Sequence, residues 1–219
     1  MTGSFLGIDI GTTVVKAGLY GPSGERLGLA QRATPNRYPA ASQSEMDMGE
    51  LWRVVCEAVR EAAGGKDVTA ISFSGISCGA FLVDETHEPV RPAILWNDGR
   101  AAELIEGWQE DGTLAEVFDR SGNVMYPGYT VPVLAWLQEH EPDSLARARH
   151  VMCCKDWIRL CMTGRVSTDP ADASYMPFDL ARRAYDPAIW ERCGVSAHAH
   201  LFPEIEPSDA VVGSLTPEA

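Results

Sequence analysis

Seven residues near the start of the chain, GIDIGTT, have the types and spacing to hold a phosphate and its metal. An apolar run delivers Asp9, and a tight turn of Gly11, Thr12 and Thr13 follows. Such a turn presents backbone N–H groups and hydroxyls, which cradle phosphate oxygens. An aspartate beside them holds Mg²⁺ directly or through water, because a hard cation takes oxygen ligands. Lys16, on the outgoing run, adds a positive charge near the phosphate. A plain β-hairpin uses the same residue types, and the bare pattern does not separate the two. It is neither a P-loop, since no Gly-Lys-Ser/Thr follows, nor a GxGxxG dinucleotide turn.

Three further stretches carry reactive or ligand-binding side chains. SGISCG, Ser74 to Gly79, lies between apolar runs; its small residues let a polar ligand approach backbone, with Ser77 and Cys78 facing a cleft. Taken alone, it reads more readily as a glycine-rich turn between strands. PAILWNDGRA sets Trp96 beside Asn97, Asp98 and Arg100, an aromatic plane next to amide, carboxylate and guanidinium groups, which suits a polyhydroxylated ligand. Asp98 also reads as an N-cap for a helix starting near Arg100. STDPADAS offers Asp169 and Asp172 as catalytic bases, but aspartates among Ser and Pro in a loop are ordinarily turn formers.

The elements that must position these residues follow from hydrophobic periodicity. FLGIDI, TVVKAGLYG and ERLGLAQRA, with a GPSG turn between the last two, predict a three-stranded meander. Residues 34–48 read as loop, and residues 49–63 as a helix closed by GGK. VTAISFSGI, GAFLVD and a short run around AIL predict strands. Helices are expected over DGRAAELIEGWQ, TVPVLAWLQEH, SLARARH and KDWIRLCMTG, with a strand at HVMCC. At the end, VVG reads as a strand and SLTPEA as a helix start, with Thr216 as cap, Pro217 at the first position and Glu218 in the first turn. Strands interleaved with helices indicate an α/β domain whose antiparallel opening makes the sheet mixed.

Composition narrows the partners. The chain has 219 residues and a net charge of −13, which opposes nucleic-acid binding, where phosphate neutralisation dominates. A nucleotide such as ATP needs only local donors and a metal. No apolar run is long enough to span a bilayer, and nothing near Met1 resembles a signal peptide; a cytoplasmic location is expected. The six cysteines lack CxxC spacing, so reduced thiols are expected rather than a zinc site or disulfides. His198 and His200 form an H-x-H with no third ligand nearby, so no metal is expected there.

FLGIDIGTTVVKAGLY, SGISCGAFLVD, RPAILWNDGRAAE, SGNVMYPGYTVPVLAWLQEHEPD and CCKDWIRLCMTGRVSTDPADAS stand in the order and spacing of the FGGY carbohydrate kinases, closest to the xylulokinase branch. The resemblance spans nearly the whole chain. It implies an α/β, ribonuclease-H-like (actin-like ATPase) domain with a mixed sheet flanked by helices. It also implies an ATP-dependent kinase acting on a ketose, a pentulose such as xylulose, or a polyol, with ATP and Mg²⁺ as cofactors. Asp9, Gly11, Thr12 and Thr13 match the family's first phosphate loop, with Asp9 toward the metal, and Lys16 matches a position commonly basic. Ser77 and Cys78 stand where xylulokinases carry a Met-His pair that contacts the sugar. Trp96, Asn97, Asp98 and Arg100 match the segment beside the substrate. Replacing Met-His by Ser-Cys changes hydrogen bonding and pocket volume, which leaves pentulose, hexulose and polyol all open.

In this family the general base is an aspartate in a glycine-rich turn after the strand that follows an LTPEA-like helix. The expectation is therefore that residues 1–219 are the N-terminal sugar-binding domain, truncated before the base, with the C-terminal ATP-binding domain absent and the chain inactive alone. A homodimer of the full-length protein stays open. The alternative is a stand-alone sugar-binding or regulatory module without kinase activity.

Overall fold

The computed structural model describes residues 3–217 and 219. Strand β1 (Ser4–Ile10) buries Leu6, Ile8 and Ile10 on one face and turns Phe5 and Asp9 to the other, as the two-residue period of a pleat requires. β2 (Val14–Tyr20) pairs antiparallel with β1, and β3 (Arg26–Ala33) with β2, giving the expected meander. The stretch read as loop, residues 34–48, instead contains two short strands, β4 (Asn36–Arg37) and β5 (Glu45–Met46). Two-residue strands leave too little alternation to be read locally.

Helix α1 (Met48–Ala63) starts where the Asp47 side chain accepts from the Glu50 N–H and stops at Gly64, whose φ of 55° closes it in the left-handed region. Its buried face, including Leu51, Val55 and Ala58, lies against β2 and β3. The approach is close: a Cβ on Gly28 would meet the Ala62 carbonyl oxygen at 2.0 Å. β6 (Val68–Gly75) runs parallel to β1, so the sheet order is β3-β2-β1-β6 and the sheet is mixed. These elements form one compact unit, residues 3–36 with Asp47–Ile76; a second comprises Arg37–Met46 with Ser77–Ala219.

In the second unit β7 (Phe81–Val83) is followed by β8 (Ala93–Ile94), which pairs with β5. Then come α2 (Ala102–Glu110), α3 (Thr113–Ser121), α4 (Thr130–His140) and α5 (Pro142–Arg147). Pro132 is tolerated because it stands in the first turn of α4, where its missing N–H has no intrahelical partner to lose. β9 (His150–Met152) pairs antiparallel with β7, and α6 (Cys154–Thr163) ends at Gly164, as expected. α7 (Pro170–Ala173), the hairpin β10 (Phe178–Asp179) with β11 (Ala184–Tyr185), α8 (Pro187–Arg192) and a 3-10 helix over Ser196–Leu201 complete it. Leu82, Ile94, Leu134, Leu137, Val151 and Leu201 are central to its core.

Two local expectations are corrected. Asp98 is not the cap of α2, which begins at Ala102 without a side-chain cap. VVG is not a strand: Val211 is 93% exposed, so no sheet gains from ordering it. At SLTPEA the described residues form a turn, with the Ala219 N–H donating to the Thr216 carbonyl; Glu218 lies outside the described residues.

Candidate functional site

In the first unit, β1 and β6 end side by side, and the Ile76 N–H donates to the Ile10 carbonyl. Ligands of open α/β sheets collect beyond such carboxyl ends. Here the chain makes the Gly11–Thr13 turn, closed by the Gly11 N–H on the Val14 carbonyl at 3.1 Å. The turn's carbonyls are tied back: Thr34 Oγ1 donates to the Gly11 oxygen at 2.7 Å, the Asn36 amide to the Thr12 oxygen, and the Thr34 N–H to the Thr13 oxygen. Asp9 and Lys16 oppose each other across the β1–β2 ladder, with Nζ 3.5 Å from Oδ2 and both side chains half exposed. The unit therefore presents a carboxylate, an ammonium and a fixed turn on one sheet end.

In the second unit three segments converge on Gly128. The Gly79 N–H donates to the Gly128 carbonyl at 3.0 Å, and Thr130 Oγ1 donates to the Gly79 carbonyl at 2.7 Å. A Cβ on Gly128 would fall 1.8 Å from the Trp96 carbonyl oxygen, so only glycine permits that approach. Half-buried Ser77, buried Cys78 and Trp96, 41% exposed, are thereby gathered with Tyr126. The Tyr126 hydroxyl donates to the Cys78 thiol at 3.5 Å, and the rings of Tyr126, Tyr129 and Tyr175 follow edge to face at 4.6 and 5.4 Å. Burial pushes the Cys78 thiol up to about 12; Tyr126 opposes the rise and Asp172 adds to it. Burial likewise raises Tyr126, Tyr129 and Tyr175. All four groups are therefore neutral at pH 7: Cys78 and Tyr129 lie buried, and the part-exposed Tyr126 and Tyr175 offer hydroxyl groups rather than charges.

The tryptophan segment divides. Trp96 and Asn97 are exposed, whereas the Asp98 side chain is 0% and Arg100 2% exposed. Asp98 Oδ1 accepts from the Arg100 backbone N–H and from Nε at 2.8 Å; Oδ2 accepts from Arg100 Nη2 and from the Ser44 N–H. Arg100 also reaches Glu45 at 2.8 Å, Glu45 holds Arg91, Arg91 reaches Glu141 at 3.1 Å, and the Arg100 guanidinium lies 5.0 Å from the Trp136 ring centre. Burial opposes the charge on Arg100, but Asp98 and Glu45 overcome it and raise its pKa. Asp98 and Arg100 thus hold the turn that bears Trp96 and Asn97.

Sequence reasoning missed Tyr126, Tyr175 and Lys155. The YPGYT run, two aromatics around a glycine, was the available signal for the first. Lys155 Nζ lies 2.8 Å from both Asp156 and Asp172 and 3.4 Å from Asp169, so the STDPADAS aspartates do form turns, around an ammonium. Cys153, Asp156 and Asp172 have ligand-type atoms within 4.8 Å of one another, but Lys155 supplies the cation there. His198 instead bonds Gln138, and His200 the Ala197 carbonyl. None of the six cysteines is in a disulfide. No helix of the described residues is long and apolar enough to cross a membrane.

Residues 4–219 match the sequence profile of the FGGY family of carbohydrate kinases, N-terminal domain. The chain is 35% identical over 220 residues to a xylulose kinase of Klebsiella pneumoniae, covering 98% of this chain and 44% of that protein. It is 31% identical over 222 residues to the L-xylulose/3-keto-L-gulonate kinase of Escherichia coli K12, covering 99% and 45%. A crystal structure of a xylulose kinase from Brucella ovis superposes with a TM-score of 0.88 at 30% identity, covering 98% of this chain and 46% of that one. The chain thus spans less than half the length of the relatives it matches.

Proposed function

The chain belongs to the FGGY family of carbohydrate kinases, matching its N-terminal domain, and from that premise we propose that it is the sugar-binding part of an ATP-dependent kinase for a ketose or polyol. Its mixed β3-β2-β1-β6 sheet with α1 is the α/β, actin-like frame of the family's solved structures. The observation that carries the proposal is the convergence on Gly128, which gathers Trp96, Cys78 and Tyr126 into a neutral, hydroxyl-matching surface. Kinase relatives at 31% and 35% identity favour this over a stand-alone binding module.

Trp96 offers a ring face to the C–H side of the sugar, and Ser77, Tyr126 and Asn97 offer hydroxyl and amide partners. Asp98 and Arg100 act one step back, fixing the turn that carries Trp96 and Asn97. The substrate is a ketopentose such as xylulose, a ketohexose or a polyol; the small Ser77-Cys78 pair widens the range. In the first unit Asp9, Gly11, Thr12, Thr13 and Lys16 receive the phosphate end of ATP.

The donor set there fits ATP with Mg²⁺. Asp9 is a half-exposed carboxylate, the oxygen chemistry a hard cation takes, and Lys16 stands opposite it. When bound, ATP supplies the phosphoryl group and Mg²⁺ neutralises charge on its oxygens. Of the chain's own residues, Asp9 would hold the metal through its carboxylate, and Lys16 with the Gly11–Thr13 turn would hold phosphate oxygens. Asp169 and Asp172 are engaged with Lys155, so neither is assigned here as the general base.

A thermal-shift panel of ketopentoses, ketohexoses and polyols tests the sugar site, since a ligand of the native state raises its apparent stability. At least one member should raise the melting temperature, and Trp96→Ala should abolish that rise while leaving the unliganded melt in place. No rise with any member at tens of millimolar would remove the proposal.

A further inference from the structure

α6 and the turn holding α7 are joined through buried charges. Lys155, on the first turn of α6, reaches Asp156 Oδ1 and Asp172 Oδ2 at 2.8 Å and Asp169 Oδ1 at 3.4 Å. Arg159, one turn on, reaches Asp156 Oδ1 at 3.0 Å and the Ser167 carbonyl, and Thr168 Oγ1 donates to Asp156 Oδ2 at 2.7 Å. Asp169 caps α7 by accepting from the Asp172 N–H. Among the described residues the cations paired with Asp156, Asp169 and Asp172 are Lys155 and Arg159, which leaves one carboxylate in excess in a largely buried cluster. An uncompensated buried charge is costly.

The same turn builds one wall of the candidate sugar site. The Tyr175 N–H donates to the Asp172 carbonyl at 3.1 Å, and Asn123 holds the Ser174 carbonyl at 2.8 Å. The Tyr175 ring packs on Tyr129, Tyr129 on Tyr126, and Tyr126 bonds Cys78. Whatever loosens the Asp172 turn loosens Tyr175.

We propose that Asp172 is a positioning residue for the sugar site, whose charge state sets how firmly the Tyr175 wall is held: protonated it tightens the wall, ionised it loosens it. The sugar-site half of this rests on the function proposed above. The groups facing Asp172 are Lys155, Asp156 and Cys153 from the α6 side and Asp169 from its own turn, and its charge is felt by the Cys78 thiol and Tyr175. Burial raises Asp172 to about 6, with Asp156 and Asp169 adding and Lys155 opposing. In an opened turn it returns toward its ordinary value of 3.8. The closed wall thus binds the proton more tightly, so acid favours closure and rising pH through about 6 releases it. These two values give about a tenfold change in the closed-to-open ratio between pH 5 and pH 8.

Hydrogen exchange of the peptide spanning residues 167–176, read by mass spectrometry from pH 5 to 8 and corrected for intrinsic rates, tests this without any sugar. Wild-type protection should fall about tenfold across that range. Asp172→Asn should hold its protection flat and exceed wild type at pH 8. Asp169→Asn, which removes the excess charge and keeps a good cap, should move the wild-type midpoint to lower pH. Flat wild-type protection, or an Asp172→Asn protein less protected than wild type at pH 8, overturns the proposal. If Asp172→Asn does not fold, the wild-type profile and Asp169→Asn decide. Because no sugar is present, failure of the sugar assignment leaves this result standing, and a parallel arm with D-xylulose reports on that assignment alone.

Discussion

The Tyr126 hydroxyl lies 3.5 Å from the Cys78 thiol, and Cys78 holds a φ of 63° with its side chain buried. A left-handed backbone is uncommon for a residue with a Cβ, so its neighbours fix it: Gly79 is bonded to Gly128 and Thr130, and Tyr126 anchors the sulfur.

Cys78 should resist alkylation. Only the thiolate reacts, and burial, the leading cause, lifts this thiol to about 12. With a small maleimide at pH 8, peptide mapping should show Cys78 labelled far more slowly than half-buried Cys56. Tyr126→Phe, which removes the hydrogen bond that favours the thiolate, should slow the labelling further while costing about 1 kcal/mol of stability or less. Equal rates for Cys78 and Cys56 would contradict the buried assignment.

Gly128→Ala should be severely destabilising. The new methyl would stand 1.8 Å from a carbonyl oxygen, and backbone yields less readily than a side chain. A loss of about 3 kcal/mol or more is expected, at or above the upper end for overpacked cores, together with loss of any sugar-induced thermal shift. A urea midpoint equal to wild type would show that the Trp96 turn does not press on Gly128.

Arg100→Lys should fail as a conservative change. Lysine cannot reproduce the forked bonds to Asp98 and Glu45, and it leaves buried carboxylates partly unpaired. Breaking a buried pair costs about 3–5 kcal/mol, so denaturant unfolding should show at least about 2 kcal/mol lost. Asn97→Ala, on the exposed side of the same turn, should leave stability within about 0.5 kcal/mol and weaken sugar binding.

The global stability difference between Asp172→Asn and wild type should depend on pH. The folded-state pKa is raised from 3.8 to about 6, mainly by burial, so the wild-type contribution is fully present below 3.8 and is lost as pH rises through about 6. The variant should therefore gain on wild type above pH 6, by about 1–3 kcal/mol, and the gain should vanish near pH 4. Thermal melts at pH 4, 6 and 8 check this; a constant difference across them would contradict it.

The 219-residue chain alone should release no ADP from ATP and Mg²⁺ with any ketose or polyol above background. A positioned base contributes about 10²–10⁴-fold, and the two aspartates nearest to that role are engaged with Lys155. Turnover near about 1 s⁻¹, the low end for kinases, would return Asp169 and Asp172 to candidacy as bases.

The sequence by itself determined what short-range patterns encode. Apolar, β-branched runs and the GPSG turn drew the β1–β3 meander, helical spacing and glycine stops drew α1 and α6, and the ordered motifs carried the family resemblance. Tertiary structure decided what depends on partners far along the chain. Glu45 and Glu141 reach Arg100 and Arg91 from tens of residues away, and Met46 is wholly buried in a two-residue strand with no periodicity to announce it. Asp98 and Arg100 look from the sequence like sugar ligands, and only their burial shows them bonded to each other. Tyr126 is an ordinary loop tyrosine until Cys78 is brought beneath it. Local sequence sets backbone preference and the alternation of faces; a side chain's charge state and bonds are set by which distant groups share its low-dielectric surroundings, and that is settled only when the chain has packed.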